Sequence, residues 1–122
     1  MTSFIRTIQR QEQCAYLKEI LSRTEHFIPL KGKPLRASPG DFMYLAYRGL
    51  IVGRARIDRF ESVSHDVPIG FKRGPYVATW LVHYKGGWQR CPREVRYRGT
   101  QGIRYVDTEG LAHLDAEEWP HW

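Results

Sequence analysis

The sequence predicts an α+β fold: a small, partly closed barrel of mostly antiparallel short strands, with one main helix near the N-terminus. Three observations carry that expectation. A helical hydrophobic repeat occurs near the start, period-two alternation recurs later, and the tight turn Arg48-Gly49 joins two apolar runs with no room for a crossover. Taken in order, Ser3 to Ile8 reads as a short opening strand. From Gln9 to Arg23 a helix is expected, because Cys14, Leu17, Ile20, Leu21 and Thr24 recur at three- and four-residue steps and so share one face. Glu25 to Gly40 loses that period, and its prolines and glycines (Pro29, Gly32, Pro34, Pro39, Gly40) predict loop. Asp41 to Tyr47 and Leu50 to Phe60 then read as a hairpin. On its second strand Ile51, Gly53, Ala55 and Ile57 alternate with Val52, Arg54, Arg56 and Asp58, so one face is small and apolar and the other carries two arginines. Gly53 in mid-strand signals a bulge or a close backbone approach. Glu61 to Pro75 reads as a polar connection and Tyr76 to Tyr84 as a strand. Arg93 to Arg98 and Ile103 to Val106 follow as short extended segments, and Leu111 to Trp122 as an arm that packs Trp119 or Trp122.

With 122 residues, 42% hydrophobic and 13% aromatic, the chain fits one domain with an ordered core, and disorder is a poor description of it. The expected division is a body, 1–106, and an acidic arm, 107–122. No stretch approaches the roughly 18 apolar residues of a membrane helix, and Met1 to Arg6 lacks the pattern of a signal peptide, so a cytoplasmic protein without a membrane partner is expected. Cys14 and Cys91 belong to no CxxC pair and the five histidines are scattered, which predicts no structural metal, no disulfide framework and no cofactor. Oligomeric state is left open.

Charge is the most informative property. All 19 lysines and arginines lie at or before Arg104, together with eight of the 13 acidic residues. The body therefore stands at +11, while Asp107, Glu109, Asp115, Glu117 and Glu118 put the last eighteen residues at −5. A body this basic points to a polyanionic partner, with nucleic acid, RNA or DNA, the expectation.

Two basic segments supply candidate binding residues. Lys31, Lys33 and Arg36 crowd a proline-stiffened loop and suit successive phosphates. Arg93, Arg96, Arg98 and Arg104 interleave with Tyr97 and Tyr105, the composition of a binder of single strands or flipped bases. Arg54 and Arg56 extend such a surface or pair with Asp58, Glu61 or Asp66. Trp88 beside Gly86-Gly87 reads as an exposed stacking residue, and Trp80 as core. Gln101, between Gly99 and Gly102, is placed to bond a base edge. Catalysis has less support: no Ser/His/Asp spacing, Walker loop or HExxH occurs, and the best available set pairs Lys33 with Glu61 or Asp58.

The order of these features resembles the PUA-like superfamily, in its ASCH and EVE branches. The residues that carry the resemblance are the loop with Gly32, Lys33 and Arg36, then Gly40-Asp41 leading into Phe42-Met43-Tyr44-Leu45. The strand Leu50-Ile51-Val52-Gly53-Arg54-Ala55 and the glycine-rich Arg98-Gly99-Thr100-Gln101-Gly102-Ile103-Arg104-Tyr105 complete it. The resemblance implies a pseudo-barrel with a basic, aromatic-lined cleft for RNA, DNA or a modified or flipped base. Its walls would be the 31–36 loop and the 98–104 segment. It also implies an alternative, a small hydrolase of the ASCH kind acting as nucleoside amidohydrolase or ribonuclease. The threonine of the amidohydrolase loop is absent, since Pro34, Leu35 and Arg36 follow Lys33. A third alternative is a protein-interaction module with a basic docking face.

Overall fold

The structure is a computed structural model that describes residues 2–8, 18, 20–22, 24–30, 33–71, 74–98 and 103–122, with backbone alone at 25, 26, 63–71 and 74–79. Six strands form one sheet: β1 (Phe4–Ile8), β2 (Glu25–Leu30), β3 (Phe42–Tyr47), β4 (Leu50–Phe71), β5 (Gly74–Arg90) and β6 (Arg104–Tyr105). Their order across the sheet is β2-β5-β4-β3-β1-β6, with β1 parallel to β3 and every other pairing antiparallel. The sheet curls into a half-barrel.

This corrects the α+β expectation. Strands dominate the molecule, and within the expected helix 9–23 the described helical positions are Lys18 and Ile20–Ser22, the rest lying outside the described residues. Two segments expected as connections are strand. Glu25–Leu30 pairs with β5 from Lys85 to Trp80 despite Pro29, because β2 is an edge strand and a proline there removes no ladder donor on its free side. Glu61 onward continues β4 to Phe71, which pairs with Gly74 across Lys72-Arg73. The ladder shifts register between Ser62 and Val67, so 63–66 stand opposite Thr79 alone in an enlarged bulge.

The Arg48-Gly49 turn forms where the alternation places it. Arg48 has φ 50° and Gly49 φ 80°, the positive pair a type I′ hairpin turn requires.

Both faces of β3 are covered, which explains its unbroken run of apolar residues. Met43 and Leu45 enter a first core with Phe4, Ile8, Ile28, Ala55, Ile57, Val82, Tyr84 and Trp88. Phe42, Tyr44 and Ala46 enter a second with Ile5, Ile51, Tyr97, Val106, Leu114 and Trp119. The acidic arm thus closes the second face: Leu114, in a 3-10 turn at Ala112–Ala116, and Trp119 pack onto it. Among the described residues no helix is long and apolar enough to cross a membrane, and no group of three or more His, Cys, Asp or Glu is gathered to hold a metal ion.

Candidate nucleic-acid interface

The described residues expected to bind nucleic acid, with the basic residues beside them, separate into four environments. Arg54 is buried at 3% exposure, its guanidinium stacked between the rings of Phe42 (4.0 Å) and Trp119 (4.3 Å). It donates to Gln89 Oε1 (2.6 Å), the Leu114 carbonyl (2.7 Å) and the Glu117 carbonyl (2.7 Å), so it fastens the arm to the sheet. Trp88, expected exposed, is 2% exposed and packs edge-on against Tyr84 in the first core. The paired glycines Gly86 and Gly87, both with positive φ, turn the strand there and let the indole point inward. Tyr97 is likewise buried, in the second core.

A second group is neutralised. Arg36 forms an ion pair with Asp107, lies over the Tyr105 ring at 4.6 Å and donates its backbone N–H to the Tyr105 hydroxyl. The structure therefore joins Arg36 of one expected wall to Tyr105, which follows the 98–104 segment, with an acidic side chain at the junction, and residues 99–102 of the other wall lie outside the described residues. Arg93 meets both oxygens of Glu117 at 2.7 Å, and that contact holds the Glu117 carboxyl below the usual carboxylate range. Arg104 faces Glu109 at 4.0 Å, and Arg59 faces Asp58 at 3.3 Å.

A third group is exposed but held on aromatic rings. Lys33 stands over Trp80 (5.4 Å) and Phe60 (5.7 Å), while Arg56 lies over Phe42 at 4.3 Å and donates to the Gly40 carbonyl at 2.5 Å. Glu61, the acid considered as partner for Lys33, hydrogen-bonds His83 at 2.7 Å instead. Lys31 and Gln101 lie outside the described residues.

The fourth group gathers at the β3–β4 turn. β5 leaves the ladder at Gly53↔Arg90, and 91–97 continue beside β4 instead. Cys91 N–H donates to the Val52 carbonyl (3.2 Å), Ile51 N–H to Val95 (2.9 Å) and Tyr97 N–H to Gly49 (2.9 Å). Facing positions of an antiparallel pair share a side of the sheet, so the register assigns each residue a face. Tyr47, opposite Leu50, packs against the first core. Arg96 forms a bridge with Leu50 and takes the same face, while its neighbours Val95 and Tyr97 pack into the second core. Gly53, opposite Leu45, shares this face, and Arg90 sits opposite Gly53. Arg48 lies over the Tyr47 ring at 5.3 Å, and Arg98 follows Arg96 two positions on. Arg48, Arg90, Arg96 and Arg98 are all exposed, and none has an acidic partner among the described residues.

One aromatic residue joins this end. Residues 120–122 run along the outer edge of β5 beyond the end of β2: Arg90 N–H donates to the Pro120 carbonyl (2.7 Å), His121 bridges Gln89, and Trp122 N–H reaches the Trp88 carbonyl (3.4 Å). The Trp122 ring lies on Gly53, where a Cβ would come within 2.8 Å of its Cζ3, yet the residue is 55% exposed.

Sequence reasoning placed Arg98 at the site but passed over Arg48, Arg90 and Trp122. Arg48 counted only as a turn residue, and Arg90 follows the glycines that end the alternation. The available signal for Trp122 was Gly53, whose missing side chain shows that something approaches the strand. No family model, no curated protein and no solved structure matches this chain.

Proposed function

We propose that the protein binds nucleic acid through the arginines at the β3–β4 end of the sheet. The observation that carries this reading is that Arg48, Arg90, Arg96 and Arg98 converge on one end without an acidic partner among the described residues, while Arg36, Arg59, Arg93 and Arg104 face carboxylates. A guanidinium fits a phosphate as a planar fork of two parallel N–H donors, so arginines suit a repeating phosphate backbone. The reading draws on charge and placement. Trp88 and Tyr97 take no part as base platforms, because both are buried. No observation favours the hydrolase alternative over this one.

Fluorescence anisotropy with RNA and DNA oligonucleotides across a salt series tests the proposal. Arg96→Ala combined with Arg98→Ala is expected to weaken binding and reduce the slope of log affinity against log salt by about one to two. Arg36→Ala is expected to change it much less, since Asp107 already holds that guanidinium. An unchanged slope in the double variant removes this end of the sheet from the interface.

A further inference from the structure

We infer that the nucleic acid is taken as a single strand, with one unpaired base stacked on Trp122. This rests on the preceding reading and adds the strand class and a recognition residue to it. The indole is anchored: the backbone of 120–122 is tied to β5 at Arg90, Gln89 and Trp88, and the Cζ3 and Cη2 atoms of the ring come close to Gly53. With 55% of the residue exposed, the ring presents surface to a ligand. The Tyr47 ring of the same end already carries Arg48, and Trp88 and Tyr97 are buried.

The surrounding charge fits the same ligand. Arg90 stands opposite Gly53 on the neighbouring strand, and Arg96 stands opposite Leu50. Three residues of extended β4 separate those positions, about 10 Å at the usual rise. A strand whose base lies on Trp122 thus has one arginine at the platform and others along its onward path toward Arg48 and Arg98. An aromatic face beside a basic track is the arrangement that binds single strands with little dependence on sequence. A duplex keeps its base faces within the stack and offers none of them to an indole without unpairing. Leu35, the other exposed large apolar residue among the described ones, has no such company of arginines in the register of the sheet and carries no comparable argument.

The test uses the full chain, a 15-nucleotide single strand and a duplex of the same length, each at two salt concentrations. Wild-type protein is expected to prefer the single strand. Trp122→Ala is expected to weaken single-strand binding roughly ten- to a hundredfold, from the usual worth of a stacked base, with the salt slope and duplex binding unchanged. Trp122→Phe keeps an aromatic face and is expected to fall between the two. Thermal unfolding of each variant separates lost stacking from lost structure. Single-strand binding unaltered in Trp122→Ala, equal losses for both nucleic acids, or a wild-type preference for duplex each overturns the inference while leaving nucleic-acid binding in place. Wild-type protein that binds neither probe overturns both.

Discussion

Arg54 shows how one side chain is read correctly for its face and differently for its role. Alternation along β4 puts Arg54 and Arg56 on one side, and they are there, but the arm folds over that side and covers the first of them. A surface cation thereby becomes an anchor whose donors meet Gln89 and two carbonyls of the arm. Nothing local in the sequence announces this, because the arm carbonyls it meets lie 60 and 63 positions away. Arg54→Ala strands those buried acceptors, at about 1–3 kcal/mol each, and is expected to cost about 2–4 kcal/mol in denaturant unfolding after partial rescue by water. The neighbouring Tyr44 hydroxyl is buried and donates to Asp115, and burial first, then that bond, push its pKa well above the ordinary tyrosine value. A raised folded-state pKa means stability is complete below the unfolded value, about 10, and falls as pH rises beyond it. The unfolding midpoint should therefore drop above about pH 10, and Tyr44→Phe should remove that component of the drop. Gly53→Ala sets a Cβ 2.9 Å from the Gln89 carbonyl oxygen as well as against Trp122, so the strand itself must move. A loss of about 1–3 kcal/mol is expected.

At the scale of elements, the β3–β4 hairpin was the most legible part of the sequence, because two apolar runs flank a turn that only positive φ values satisfy. β2 was hidden by Pro29, a residue that argues against a central strand and says nothing against an edge one. The extension of β4 through Val67-Pro68-Ile69-Gly70 was hidden the same way, since its turn-forming composition conceals a ladder with 74–78. The arginine end was half legible: the basic run 93–98 stands out in the chain, but Arg48 and Arg90 join it only through the register. The turn also separates folding from binding. Gly49→Ala forces a side chain into the left-handed region and is expected to cost about 1–2 kcal/mol of stability. Arg48→Asn, whose new side chain tolerates that region, should leave the thermal midpoint near wild type while weakening oligonucleotide binding. A variant that unfolds earlier yet binds as wild type would show that Arg48 serves the turn alone.

For the molecule as a whole, charge is divided between the arginines that the acidic arm meets and those at the β3–β4 end that it leaves. The arm places its carboxylates against Arg36, Arg93 and Arg104 and its apolar residues against the second face, leaving the end with Arg48, Arg90, Arg96 and Arg98 basic. The uneven distribution of charge was visible in the sequence, but which arginines the arm would neutralise was not, because that depends on where Leu114 and Trp119 dock. Removal of 111–122 should expose Ile5, Tyr44, Ala46 and Ile51 together and abolish cooperative unfolding, a change visible by calorimetry. The same arrangement bears on how the chain is made. β1 waits for β3, and its other edge for β6, so the sheet stays open on the ribosome until residue 105 has emerged. The Arg54 guanidinium then waits for the carbonyls of Leu114 and Glu117, and until they arrive water takes their place on the uncovered second face. The second face is thus completed late, by long-range contacts that form only once Leu114, Glu117 and Trp119 have been made.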